Sequence, residues 1–263
     1  TGRNEWSTTL PVSNNSFFFP SASLGFVFTE LPQFNDSRVF SFGKIRASYA
    51  QIANHATPYN TQNTYTLAQI SDGWAAANSF PYNGIAGFMP SNVLANSELK
   101  PESLVSREFG LELRLFNNRV NFDFTYYNNQ NRDLLIQVPV TGSTGFNSQY
   151  KNAATMENKG VEVMAGATPV KSQNFNWSFS VNFTRNKNKV LSLAPGVDNI
   201  SLGGFTGSTI NVVAGEAYGS MFSTSFYKDD QGRVIINDDP SSSGYGYPIK
   251  DETMKSLGQI SPK

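Results

Sequence analysis

Four aromatic side chains, Trp74, Phe80, Tyr82 and Phe88, lie close together in a stretch interleaved with Asn78, Asn83 and Asn92. Ring faces stack on sugars or on peptide side chains, and amides supply directional hydrogen bonds, so this set is a candidate ligand-contact patch. The same residues can instead pack their loop against its neighbours or against a partner protein. The remaining candidates have simpler readings. His55 is the single histidine, which excludes a multi-histidine metal site, and a solvated or hydrogen-bonded loop histidine accounts for it. Asp229-Asp230-Gln231-Gly232 and Asp238-Asp239 offer carboxylate oxygens of the kind calcium takes. They lack the spaced acids and terminal glutamate of an EF-hand loop, and a hairpin turn at Gly232 accounts for them. Gly203-Gly204 and Gly207 have no strand-to-helix setting for binding phosphate. No Ser/His/Asp set or carboxylate pair stands out, and there is no cysteine for thiolate or disulfide chemistry. The sequence therefore points away from an enzyme, and it nominates no catalytic residue, no metal site and no cofactor.

Composition narrows the setting. Lysine plus arginine and aspartate plus glutamate number twenty each, so charge points to no nucleic-acid partner. Charged residues make up 15% of the chain, below the roughly 25% of soluble domains. Aromatics reach 13%, with 21 phenylalanines. Low charge, many aromatics and abundant Asn, Ser and Gly suit a chain with lipid on one side and water on the other. No apolar run approaches the ~18 residues of a membrane-spanning helix. The polar start at Thr1-Gly2-Arg3, and a finish at Ile260-Ser261-Pro262-Lys263 where another strand is expected, read as a fragment of something larger.

The elements that must position these residues are strands. In Ser106 to Phe116, Phe109, Leu111, Leu113 and Leu115 share one face, and Glu108, Gly110, Glu112 and Arg114 share the other. Asn117-Asn118 tolerates positive φ and suits a two-residue hairpin turn. Val120, Phe122, Phe124 and Tyr126 then alternate with Asn121, Asp123, Thr125 and Tyr127, and the strand continues to Val138. Similar alternation predicts strands over Ser16 to Glu30, Phe42 to Ala53, Ala153 to Thr168 and Phe175 to Leu191. Pro20 fits a bulge or an edge, and Phe17-Phe18-Phe19 suits either an interfacial girdle or an ordinary core cluster. Gly2 to Asn15 reads mostly as loop. Beyond Ser192 the period fades: Ile210 to Val213, Met221 to Tyr227 and Arg233 to Ile236 suggest small strands, and Asp251 to Leu257 at most a short turn of helix.

The connections alternate in length: short at 31–41, long at 54–101, short at 117–118, long at 139–152, short at 169–174, long from 192. Such sorting means one rim of tight turns and one of large loops. It is expected of an outer-membrane barrel, whose tight rim is periplasmic and whose loop rim is extracellular. The fold expected is all-β: an antiparallel segment of about six long strands from a large transmembrane β-barrel with long extracellular loops.

Leu99-Lys100-Pro101-Glu102, Glu108-Phe109-Gly110-Leu111-Glu112-Leu113, Phe116-Asn117-Asn118-Arg119-Val120 and Asp123-Phe124-Thr125-Tyr126-Tyr127 resemble the barrel of TonB-dependent outer-membrane receptors. Asn152-Ala153-Ala154-Thr155-Met156-Glu157-Asn158-Lys159-Gly160-Val161-Glu162-Val163 is similar to the SusC/RagA-type branch of Bacteroidetes. So are Arg3 to Pro11, Phe18 to Gly25, and Gly215-Glu216-Ala217-Tyr218-Gly219-Ser220-Met221-Phe222. The resemblance implies a barrel of about 22 strands with a plugged lumen in the outer membrane of a Gram-negative cell. It implies that residues 1–263 belong to a single receptor barrel domain, with the plug and the remaining strands outside them. It also implies a nutrient importer for a glycan or peptide. Its partners would be membrane lipid, a SusD-like surface lipoprotein, and TonB, reached through parts absent here. Phe109, Leu111, Leu113, Val120, Phe122, Phe124, Phe179, Val181 and Phe183 would then face lipid, and Glu108, Glu112, Arg114, Asp123 and Glu162 the lumen. The competing accounts are a soluble all-β carbohydrate-binding module, whose alternating faces must pack on each other, and an adhesin or purely structural barrel.

Overall fold

A segment that alternates apolar and polar side chains over many residues is stable as a sheet with two different faces. The computed structural model describes residues 1–259 apart from 35, 73, 75 and 206, and the chain forms such a sheet. The Ile260-Ser261-Pro262-Lys263 terminus lies outside the described residues. The strands are β1 (Gly2–Trp6), β2 (Ser16–Val27) and β3 (Phe40–Asn54), followed by short strands β4 (Tyr65–Leu67), β5 (Gln69–Ile70), β6 (Asn78–Ser79), β7 (Phe88–Pro90) and β8 (Val93–Leu94). Four long strands come next: β9 (Glu102–Leu115), β10 (Val120–Pro139), β11 (Ser148–Lys171) and β12 (Asn176–Leu193). The last four are β13 (Asn199–Phe205), β14 (Ser208–Val213), β15 (Ser220–Phe226) and β16 (Lys250–Gln259). The chain divides into two compact units, Thr1–Lys187 and Asn188–Lys263.

The first unit is built on one sheet in the order β1-β2-β3-β9-β10-β11-β12, with β8 added in parallel to β11. Register carries an apolar row across five strands: Phe26 is opposite Ile45, Ile45 opposite Leu111, Leu111 opposite Phe124, and Phe124 opposite Val163. The row on the other face is polar or small: Gly25, Arg46, Gly110, Thr125 and Glu162. The apolar face is open. Leu24 is 71% exposed, Phe179 50% and Val181 59%. A sandwich would cover this face with a second sheet, and the described residues of the first unit supply none. Burial is concentrated at one rim, where Leu10, Ala56 and Leu99 pack with Phe17, Leu135 and Tyr150.

That rim also carries connections 7–15, 55–101 and 140–147, of which 55–101 is by far the longest. The opposite rim carries the tight connections 116–119 and 172–175, and also 28–39, which is longer than 7–15 or 140–147, so only 55–101 bears out the expected sorting of lengths. The tight rim holds a cluster in which Phe28, Phe34 and Phe40 meet edge to face, with centroids 5.4 to 6.1 Å apart.

Several expectations change. Residues 2–6 are a strand, not loop: β1 pairs with the outer edge of β2, and its polar residues conceal a strand held by backbone bonds rather than by an apolar face. Phe28–Glu30 leaves the sheet as a 3-10 turn because the Phe28 ring folds over Gly43. Pro20 sits within β2 without losing a bond. Ser21 N–H points to β1, so the Pro20 nitrogen faces β3, whose pairing with β2 starts only at Ser21. Phe17-Phe18-Phe19 keeps its alternation, with Phe17 and Phe19 in edge contact at 5.2 Å and Phe18 on the opposite face. The hairpin turn has four residues, 116–119, rather than two; Phe116, Asn117 and Asn118 all have positive φ.

The second unit has its own sheet, ordered β13-β14-β15-β16, with Val190, Ile200 and Val212 buried. Residues 251–257 belong to strand β16, not to a helical turn; pairing with β15 and a buried Asp251 hold them extended. Arg233 to Ile236 makes isolated bridges, Val234 with Lys228 and Ile236 with Pro248, rather than a full strand.

Phe122 lies in the apolar row of Gly43, Leu113 and Ala165. In the full-length protein, Phe122→Arg is expected to block assembly, at a cost of about 2–4 kcal/mol near a bilayer midplane. Heat-modifiable migration on gels reads the folded fraction, and wild-type insertion of the variant would overturn the face assignment.

Candidate functional site

The polar face is tied together across strands. Arg46 on β3 donates from both guanidinium NH2 groups to Asp123 on β10, at 2.9 and 2.8 Å, and also to Thr125 Oγ1 at 2.6 Å. These bonds pass over β9, the strand between. They can do so because Gly110 sits in register with Arg46 and Thr125, and a Cβ there would collide with the guanidinium. The same device recurs at Gly160 on β11, where Tyr127 lies across the missing side chain and its hydroxyl donates to Asn186 Oδ1 on β12 at 3.2 Å. Arg114 donates to Glu112 at 3.1 Å and stands 5.3 Å over the Phe42 ring. The result is a mixed-charge wall able to hold polar surface or hydrated solute, with no nucleophile and base brought together.

The long connection is pinned at its base by residues that the sequence did not single out. Asn152 donates to the carbonyls of Lys100 and Asp133, at 2.9 and 2.8 Å, and accepts from the Lys100 N–H at 2.9 Å. Glu102 Oε1 accepts from Leu135 N–H at 2.6 Å. This bond satisfies a donor at the irregularity in β10, where Asp133 adopts a left-handed conformation. The signal available was Asp133 itself, one polar residue out of step before Leu134-Leu135-Ile136.

From this base rises an arm in which β4 pairs with β7 and β5 with β6. Ala68 joins the halves, donating to the Gly87 carbonyl at 2.8 Å and accepting from Phe80 N–H at 3.0 Å. The Phe80 ring lies on Gly87, Phe88 is exposed on β7, and Tyr82 opens a tight turn closed by Ile85. Asn83 serves that turn with a positive φ. Trp74 stands elsewhere, between β5 and β6, and is 96% exposed. The four aromatics therefore share one arm but not one pocket, and among the described residues no ring-to-ring contact joins any two of them. His55 is exposed where β3 enters the connection.

In the second unit the acidic motif is a turn. Asp229 Oδ1 accepts from the backbone N–H groups of Gln231 and Arg233, Oδ2 pairs with Arg233 Nε at 2.7 Å, and Gly232 takes a φ of +81°. The Arg233 backbone N–H, then its side chain, holds the Asp229 carboxyl below the usual carboxylate range. Asp239 is lowered likewise by the Ser241 hydroxyl and N–H. Both carboxylates are thus engaged locally.

Residues 1–248 match the family model described as TonB dependent receptor-like, beta-barrel. TonB-dependent receptor P3 of Formosa agariphila is 32% identical over 227 residues, covering 84% of this chain and 22% of that protein. TonB-dependent receptor SusC of Bacteroides thetaiotaomicron is 28% identical over 198 residues, covering 74% of this chain and 18% of that protein. The chain thus spans about a fifth of the length of these curated relatives. A structure of the RagAB peptide transporter superposes with a TM-score of 0.71 over 98% of this chain and 28% of its own, at 23% identity, which shows a shared fold.

Two outcomes test this geometry. Gly110→Val in the full-length protein places a branched side chain under the Arg46 guanidinium and is expected to cost about 1–3 kcal/mol in denaturant unfolding. Adding Arg46→Ala should recover part of that loss, whereas strictly additive effects would show that Arg46 does not depend on the gap. The folded Asp229 carboxyl has a lowered pKa, so its contribution is complete above the ordinary carboxylate range and is lost as pH falls from that range through the lowered value. Hydrogen exchange at the Arg233 amide, corrected for intrinsic pH dependence, should lose protection over that interval, and Asp229→Asn should remove the pH dependence.

Proposed function

The chain belongs to the TonB dependent receptor-like β-barrel family, and we propose that residues 1–263 form part of a single barrel domain in the outer membrane of a Gram-negative cell. The whole protein imports a nutrient, an oligosaccharide or a peptide. The observation that carries this reading is the long antiparallel sheet whose two faces are unlike, the apolar one exposed, with the 55–101 connection at one rim and the tightest turns at the other. Hydrocarbon satisfies the apolar face, and a closed sheet satisfies the backbone. A soluble carbohydrate-binding module would need a cover for Leu24, Phe179 and Val181. Mixed charge on the other face suits a lumen filled by a plug. Similarity to SusC and to the RagAB fold supports import together with a SusD-like lipoprotein over the loop rim, and energy supplied by TonB through parts outside residues 1–263. Trp74, Phe80, Tyr82 and Phe88 contact the ligand from the arm as separate stacking surfaces.

The test uses the full-length receptor in its own cell. Deletion of its gene should abolish growth on one class of oligosaccharide or peptide supplied as sole source, and restored expression should return it. Replacing Trp74 and Tyr82 together with alanine should weaken uptake about tenfold while leaving the folded barrel in the membrane. Unaltered growth of the deletion strain on every such source would remove the importer reading. Unaltered uptake by the alanine variant would remove only the arm's role.

A further inference from the structure

The arm in the 55–101 connection is a small sheet with two faces. Tyr65 is opposite Pro90 and Leu67 opposite Phe88, so these four share one face, with Thr66 and Met89 on the other. Ala68 continues the pairing on both sides, bonding Gly87 on one and Phe80 on the other. The Phe80 ring passes over Ala68 to lie on Gly87, which places it on the face of Thr66 and Met89. Gln69 is opposite Ser79, and its amide donates to the Ser79 hydroxyl at 3.4 Å on the face of Leu67. On one face, then, an aromatic ring is laid down on the sheet. On the other the rings stand free: Tyr65 is 72% exposed and Phe88 65%. Tyr65 is diagonal to Phe88 across the ladder, a spacing of about 7–8 Å that aromatic side chains can span together. Charge is nearly absent around them. From Ala56 to Ser97 the sequence has one charged residue, Asp72, and its Oδ1 accepts from Trp74 N–H at 3.0 Å.

We propose that the face of Tyr65, Leu67, Phe88 and Pro90, with Gln69 and Ser79 beside it, is a ligand-binding surface for uncharged oligosaccharide. This deepens the importer reading above and rests on it. The free rings and the missing charge select the occupant. A pyranose has C–H faces that stack on aromatic rings, and its hydroxyls exchange hydrogen bonds with an amide and a hydroxyl. A peptide brings charged termini and side chains, and an acidic polysaccharide brings carboxylates or sulfates. Each of those charges would lose water on this face and find no counter-charge. Tyr65 thus joins Phe88 as a ring that determines specificity, and its pairing through β4 and β7 holds the two rings on one side of the arm.

The experiment uses the full-length receptor, purified with any partner that accompanies it. It is incubated separately with neutral oligosaccharides released from plant and fungal cell walls, with the acidic oligosaccharides of the same digests, and with a tryptic peptide digest. Ligand retained on the protein is identified and counted by mass spectrometry. Wild type should retain neutral oligosaccharide at least about tenfold over the other mixtures, and the variant Y65A/F88A should retain about tenfold less of it. Thr66→Ala, on the opposite face of the same strand, should retain as much as wild type. Preference for acidic oligosaccharide or peptide, retention of nothing, undiminished retention by folded Y65A/F88A, or an equal loss in Thr66→Ala overturns the proposal. Loss of an accompanying partner from Y65A/F88A with sugar retention intact gives the face to that partner and overturns it too. If the double variant does not fold, the wild-type preference decides alone. The gene-deletion strain separates this proposal from the reading beneath it. Growth lost on peptide or acidic glycan fails this proposal alone, and growth kept on every source fails the importer reading.

Discussion

Every backbone N–H and C=O in a hydrocarbon layer must find its partner within the protein, and on the proposed barrel reading the structure of this chain follows from that constraint. A strand can meet it only by pairing on both edges, so the strands run long and in continuous register from β2 through β11. Irregularities fall where the constraint relaxes. Pro20 lies where β3 has stopped pairing, and the break in β10 around Asp133 lies toward the loop rim. There a side chain, Glu102, takes up the freed donor at Leu135. Between these irregularities and a register shift at Phe40/Phe42 near the tight rim the ladder is unbroken, and the apolar row from Phe26 to Val163 is the consequence on one face.

The same constraint explains the polar face. Side chains cannot rearrange the backbone, so they bridge strands above it. Bridging a neighbour's neighbour requires a gap in the row between, and Gly110 and Gly160 supply one each. Glycine is unfavourable in a strand on propensity grounds. Here it lets Arg46 form a bidentate pair and Tyr127 lie flat. Arg46 and Asp123 are both partly open to solvent, so their pair contributes modestly to stability and mainly fixes side-chain geometry.

What the sequence made legible follows the same division. Period-two alternation is imposed wherever the two faces meet different media, and there the strands and their faces can be read: Phe109 to Leu115, Phe122 to Tyr126 and Trp177 to Phe183 lie as their pattern requires. Where both faces are polar the pattern carries no phase. β1 was therefore hidden in Gly2–Trp6 and β16 in Lys250–Gln259, since both are held by backbone pairing. The turn at Phe116 to Arg119 is longer than Asn117-Asn118 indicates because Phe116 adopts a left-handed conformation that its side chain does not announce. The arm aromatics could be nominated by type, but their separation depends on β4–β7 and β5–β6 pairings too short to leave a period.

That separation bears on how the loop rim works. Leu10, Ala56 and Leu99 come from two different connections and bury one another, with Asn14 adding a bond to the Leu99 carbonyl at 3.2 Å. Asn152 then fixes Lys100 to the wall strands through paired bonds. The long connection is thus anchored at both ends by buried residues, Ala56 and Leu99, while Trp74 between them is almost wholly exposed. A segment of that length left unanchored would sample many positions and lose ordering entropy on meeting any partner. Anchoring the base and pairing the arm along its length removes most of that loss beforehand. The exposed rings of Tyr82 and Phe88 are thereby presented on a formed surface, which is the condition for a loop to contribute affinity rather than merely occupy space.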